Sequence, residues 1–131
     1  MIVLDTSALI AITNHEPERR RFLEIIAAAD RCLISAVTLL EMRIVTFGRF
    51  GAGGIDQLAE WLATFDPEIV TFDADLSDAA FGAFRVYGKG IHPQARLNFG
   101  DCASYGLAKA RDLPLLYKGD DFAATDIKPA A

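Results

Sequence analysis

Short apolar runs at residues 2–4, 32–35, 69–72 and 114–117 alternate with longer stretches whose apolar residues recur at helical spacing. This alternation constrains the fold more than any other feature. Short strands separated by helices predict an α/β fold with a mostly parallel sheet and right-handed crossovers. The helical stretches fall at 7–13, 16–29, 37–50, 56–65, 75–87 and 99–111. Asn14-His15-Glu16-Pro17 is a helix-start signal, with proline in the first turn. Glycines at 51, 53 and 54 predict a turn between two helices. The Gly and Pro content of 88–93 predicts a loop, and Ile127 a further edge strand. At 131 residues, without a repeat or linker, the chain fits one domain with a sizeable core.

Ligands in an open parallel sheet bind beyond the carboxyl ends of the strands. Asp5 ends the first strand. Glu41 lies six residues past Ser35 in the helix after the second strand, a rise of about 9 Å at about 1.5 Å per residue. Asp101 opens the helix that enters the fourth strand, so it stands at the same edge. Asp120 and Asp121 follow the fourth strand. Four segments therefore bring an acid to one edge. Each acid has an ordinary explanation when taken alone: Asp5 as a cap, Asp101 as a partner of Asn98 at a helix start, Asp120-Asp121 as a turn. Glu41 fits such an explanation least, because it sits among Leu39, Leu40, Met42 and Ile44.

Gathered carboxylates repel one another, and a divalent cation removes the conflict. All-oxygen ligands favour Mg²⁺ or Mn²⁺, and acids at strand ends around such an ion suggest phosphoryl chemistry. Other chemistries lack their residues. Cys32 and Cys102 make no zinc spacing, and neither His15 nor His92 has a partner at ligand spacing. No P-loop or dinucleotide fingerprint is present. The apolar start is too short for a signal peptide, so a cytoplasmic protein with no membrane association is expected.

The net charge of −5 excludes nucleic-acid binding by the whole surface. A local patch remains: residues 79–100 contain no acid but hold Arg85, Lys89, His92 and Arg96, and lead to Asp101. Phosphate contacts need only such local charge. Tyr87 and Phe99 flank the stretch and could stack unpaired bases of a nucleic acid. Phe47, Phe50, Leu58, Trp61, Leu62 and Phe65 are more apolar surface than one small core is expected to absorb. A helical hairpin against the sheet, or a groove for an amphipathic partner helix, would use them.

The blocks VLDTSALIA, SAVTLLEMR, NFGDCASYGLAK and LLYKGDDFAATDI, in this order over nearly the whole chain, resemble PIN-domain ribonucleases, and within them VapC-type toxins of type II toxin–antitoxin pairs. The resemblance implies a three-layer α/β/α fold with a central, mostly parallel four- to five-stranded sheet. It implies Mg²⁺- or Mn²⁺-dependent RNA cleavage, a cognate VapB-type antitoxin that blocks the site, and a homodimer. Carried over, Asp5 and Asp101 are metal ligands and Glu41 positions or deprotonates the attacking water. Lys118 stands where many relatives have Thr in a Thr-x-Asp motif. That makes Asp120 the fourth acid, bound directly or through water, with Asp121 as its alternative. Ser7 matches the small hydroxyl residue that supports the first aspartate. A catalytically silent partner-binding module is a competing reading. A receiver-like phosphoacceptor domain is another, but the second strand ends on Ile34-Ser35 and lacks the phosphoacceptor aspartate.

Overall fold

Successive side chains of a strand point to opposite faces of its sheet. In β1 (Ile2–Leu4), Ile2 and Leu4 enter one apolar cluster and Val3 enters another. In β2 (Cys32–Ser35), Cys32 and Ile34 join Leu4, and Leu33 joins Val3. In β4 (Leu115–Leu116), Leu115 lies with Val3 and Leu116 with Leu4. The central strands are thus buried on both faces, which explains why they read as unbroken apolar runs. With β3 (Glu68–Val70), the strands form one sheet in the order β3-β2-β1-β4, every pair parallel. The computed structural model describes every residue, Met1–Ala131.

Helices cover both faces. α1 (Thr6–Thr13), α2 (Arg19–Ala28) and α3 (Ala36–Phe65) bury Leu9, Ile12, Phe22, Ile26, Met42 and Leu58 on one side. α4 (Ala74–Tyr87) and α5 (Phe99–Arg111) bury Leu76, Ala80, Cys102, Tyr105 and Leu107 on the other. This is the three-layer α/β/α arrangement, with four strands. The chain steps outward from β1 through β2 to β3, then returns over the other face to β4, on the far side of β1. Strand order reverses at β1, so the crevice expected of such a fold opens beyond the carboxyl ends of β1 and β4. No helix is long and apolar enough to cross a membrane.

Three local expectations are corrected. The glycine-rich stretch is not a four-residue turn: α3 breaks at Gly51 alone (φ 66°, ψ −158°), a conformation that glycine adopts without steric cost. Gly54 lies within the helix, where a Cβ would come 2.5 Å from Phe50 Cβ. Helix α2 starts at Arg19, with Pro17 ahead of it. The tail adds a single bridge rather than a strand. Leu115 N–H donates to Lys128 O (2.8 Å) and Ala130 N–H to Leu115 O (2.9 Å), and Pro129 between them has no N–H to extend the ladder. Ile127 is buried in the core instead.

Of the six apolar residues singled out between Phe47 and Phe65, Leu58 is buried, and Trp61, Leu62 and Phe65 pack half-buried against the α1–α3 core. Trp61 meets Phe65 edge-on at 5.2 Å. Phe47 and Phe50 stay about three-fifths exposed (61% and 62%), so the helical hairpin absorbs only part of the surplus.

Candidate active site

Asp5 has two different oxygens. As N-cap of α1, its Oδ2 accepts the Ser7 backbone N–H (2.9 Å) and the Ser7 hydroxyl (2.7 Å). Its Oδ1 is buried and has no hydrogen-bond partner. The cap explains why the strand ends on a carboxylate, but it uses only half of the group. Leaving the other oxygen unpaired in a residue 2% exposed is costly. Ser7 also accepts the Lys118 N–H at 3.0 Å, which ties the end of β4 to the end of β1. The Lys118 ammonium turns away from the acids and pairs with Glu16 and Glu18.

Glu41, on the second turn of α3, accepts a hydrogen bond from the Thr6 hydroxyl through Oε1. Its carboxylate lies over Gly100 in α5. Asp101 follows Gly100 and closes a capping box with Asn98. Its N–H donates to Asn98 Oδ1 (2.9 Å), and its Oδ2 accepts the Asn98 N–H (3.0 Å). The local capping role is therefore real. Burial nevertheless pushes the Asp101 carboxyl up to about 7, against the opposing Asn98 N–H, and the charges of Asp5, Asp121 and Glu41 add to the rise. Asp5, Glu41 and Asp101 thus converge from β1, α3 and α5. From the turn after β4, the Asp121 charge bears on Asp101.

No three His, Cys, Asp or Glu side chains close around a common point. The unpaired Asp5 Oδ1 and the like-charge repulsion at Asp101 are both relieved by a cation, so the residues present fit one. Cys102 is a poor competitor as a ligand. Burial and the adjacent Asp101 charge push its thiol up to about 11, so it stays protonated at neutral pH.

Lys89, His92 and Arg96 line one shallow hollow on the loop between α4 and α5. Backbone hydrogen bonds Lys89 N–H to Leu97 O and Leu97 N–H to Tyr87 O, both 2.9 Å, close the loop. His92 Nδ1 accepts the N–H groups of Gln94 (3.1 Å) and Ala95 (3.0 Å), leaving Nε2 as the position for a proton. Arg85 stands outside the hollow, in the last turn of α4.

Two pairings were not foreseen from the sequence. Thr38 and Ser104 hydroxyls meet in the interior, 3.2 Å apart. Each lies three residues from an acid, Glu41 and Asp101, on the same helix face, and that spacing was the available signal. Thr6, adjacent to Asp5, is the other.

The PIN domain family profile matches residues 2–128. Ribonuclease VapC30 of Mycobacterium tuberculosis is 46% identical over 130 residues, which covers 99% of this chain and 98% of that protein. The crystal structure of VapC20 from Mycobacterium tuberculosis, described as a sarcin-ricin loop cleaving toxin, superposes with a TM-score of 0.76 at 18% identity, covering 97% of this chain and 96% of that one. VapBC2 from Rickettsia felis, solved bound to a DNA fragment from its promoter, superposes with a TM-score of 0.74 at 20% identity, covering 98% and 96%. Full-length identity at this level, on this fold and with these acids at one sheet edge, establishes that the chain belongs to the PIN-domain family, among the VapC ribonucleases.

Proposed function

We propose that the protein is the endoribonuclease toxin of a type II toxin–antitoxin pair, cleaving RNA phosphodiester bonds with Mg²⁺ or Mn²⁺. The observation that carries this reading is the buried, unpartnered Asp5 Oδ1 together with an Asp101 carboxyl raised by burial and further by its acidic neighbours. Asp5 and Asp101 would hold the metal, and the fourth acid would come from Asp120-Asp121. Bound there, the ion would supply Lewis acidity at phosphorus and neutralise the gathered carboxylates. Ser7 orients Asp5. Glu41 orients the attacking water and accepts its proton. In-line attack by water leaves a 5′-phosphate and a 3′-hydroxyl.

Lys89, His92 and Arg96, with Arg85 nearby, would hold RNA phosphates next to the acids. A cognate VapB-type antitoxin goes with this reading, and the fold's likeness to a VapBC complex supports it. The hollow between α1 and α3, lined by Ile12, Arg19, Phe50, Leu58 and Trp61, suits an amphipathic antitoxin helix. An antitoxin arginine reaching the acids would pair with them bidentately and block the site. A homodimer would cover the exposed Leu40, Ile44 and Phe47 of α3 and Phe81 of α4. Its site of action would be the cytoplasm.

Sequencing the ends of RNA cut by the purified protein tests the chemistry. New 5′-phosphate ends that require Asp5 are expected. Cyclic 2′,3′-phosphate ends would rule out attack by water.

A further inference from the structure

Glu41 is the acid with the least obvious means of support. Its side chain is long, and it projects from α3 toward helices that it does not belong to. Two features of other elements bear on it. Thr6, buried at the start of α1, donates its hydroxyl to Glu41 Oε1. Gly100, buried in the first turn of α5, lies directly beneath the carboxylate. A Cβ at position 100 would stand 2.6 Å from Oε1, 2.8 Å from Oε2 and 2.9 Å from Cδ. The backbone at Gly100 is helical, so no unusual dihedral demands glycine there. Space for the Glu41 carboxylate is the remaining reason.

We infer that Thr6 and Gly100 form a two-sided seat that fixes the Glu41 carboxylate, and that both are positioning residues for the cleavage reaction. The inference rests on the ribonuclease reading above. The chain places them economically, since each directly adjoins a proposed metal ligand: Thr6 follows Asp5 and Gly100 precedes Asp101. The backbone segments that carry the ligands therefore also set the proton acceptor. Without the Thr6 hydroxyl, Oε1 loses its anchor and the side chain gains rotamers. With a methyl at position 100, the carboxylate must shift from this position. Small misplacements of a reacting group have large kinetic costs.

The test is steady-state kinetics of Mg²⁺-dependent RNA cleavage, together with RNA affinity in EDTA and thermal melting, for Thr6→Val, Thr6→Ser and Gly100→Ala. Thr6→Val should lower kcat about tenfold, and Thr6→Ser, which keeps the hydroxyl, should restore most of it. Gly100→Ala should lower kcat about a hundredfold, the order of a general base's contribution. RNA affinity in EDTA and KM should stay within about twofold. Alanine is the better helix former, so Gly100→Ala should melt no lower than wild type, and a lost kcat then cannot be ascribed to unfolding. Should Thr6→Val fail to fold, Gly100→Ala carries the test alone, because it removes no hydrogen-bonding group from the site. A kcat within twofold of wild type for Gly100→Ala would overturn the seat. A wild-type protein that cleaves no RNA would overturn the ribonuclease reading instead.

Discussion

The Thr38 and Ser104 hydroxyls, 3.2 Å apart and both fully buried, join α3 to α5 three residues from Glu41 and Asp101. The contact is a polar link between the two helices that carry those acids. Replacing Thr38 by Val keeps the shape but leaves the Ser104 hydroxyl without its partner. We expect a loss of about 1–2 kcal/mol in stability, the usual cost of an orphaned buried hydroxyl. Urea unfolding measures it. The double change Thr38→Val with Ser104→Ala should recover part of the loss, because it removes both polar groups.

Legibility in the sequence divides along physical lines. The strands were readable because β1, β2 and β4 are buried on both faces, which writes them as apolar runs. The meeting of Asp5, Glu41 and Asp101 was readable because parallel topology sends strand ends and helix starts to one edge. What depends on single-residue geometry was not. The break at Gly51 instead of a turn over 51–54 rests on one backbone conformation. Which of Asp120 and Asp121 approaches Asp101 depends on the turn at Gly119, where φ is 100°. Gly100 reads as an ordinary helical residue until Glu41 is placed above it. Thr38 and Ser104 are too far apart in sequence for any local pattern to join them.

That turn leads to an ordering of the two aspartates. Asp121→Asn should weaken metal binding and cleavage about tenfold or more, and Asp120→Asn much less. Isothermal titration with Mn²⁺ and initial cleavage rates check this. A larger effect from Asp120 would make it the fourth acid instead.

Asp101 makes the metal-free protein's stability depend on pH. Its folded carboxyl titrates near 7, above the unfolded value of 3.8, so the folded state keeps a proton that the unfolded state has released. Stability then falls as pH rises from about 4 to about 7 and levels off beyond. Discounted for partial exposure, the contribution is about 1–3 kcal/mol. Asp101→Asn removes it and can still accept the Asn98 N–H. Urea unfolding in EDTA should show the variant gaining on wild type between pH 5 and pH 8; an equal difference at both pH values would contradict the shift.

The basic loop should act on RNA and not on metal. Lys89→Ala and Arg96→Ala should each flatten the salt dependence of RNA binding by roughly 0.7–1 units of slope. Mn²⁺ affinity should not change. An unaltered slope in both variants would move the RNA path off this loop.

The central claim is that the free oxygen of Asp5 belongs to a divalent metal that the cleavage reaction needs. Its most direct test is a Mn²⁺ titration followed in parallel by calorimetry and RNA cleavage, on wild type and Asp5→Asn. Asp5→Asn can still accept the Ser7 hydrogen bonds but brings no charge to the site. The account predicts that wild type binds the ion and cleaves in proportion to occupancy, and that the variant remains folded, loses tight binding and loses cleavage together. A folded Asp5→Asn protein that binds Mn²⁺ and cuts RNA as wild type does would contradict it, as would a metal-loaded wild type that binds its partner and cuts nothing.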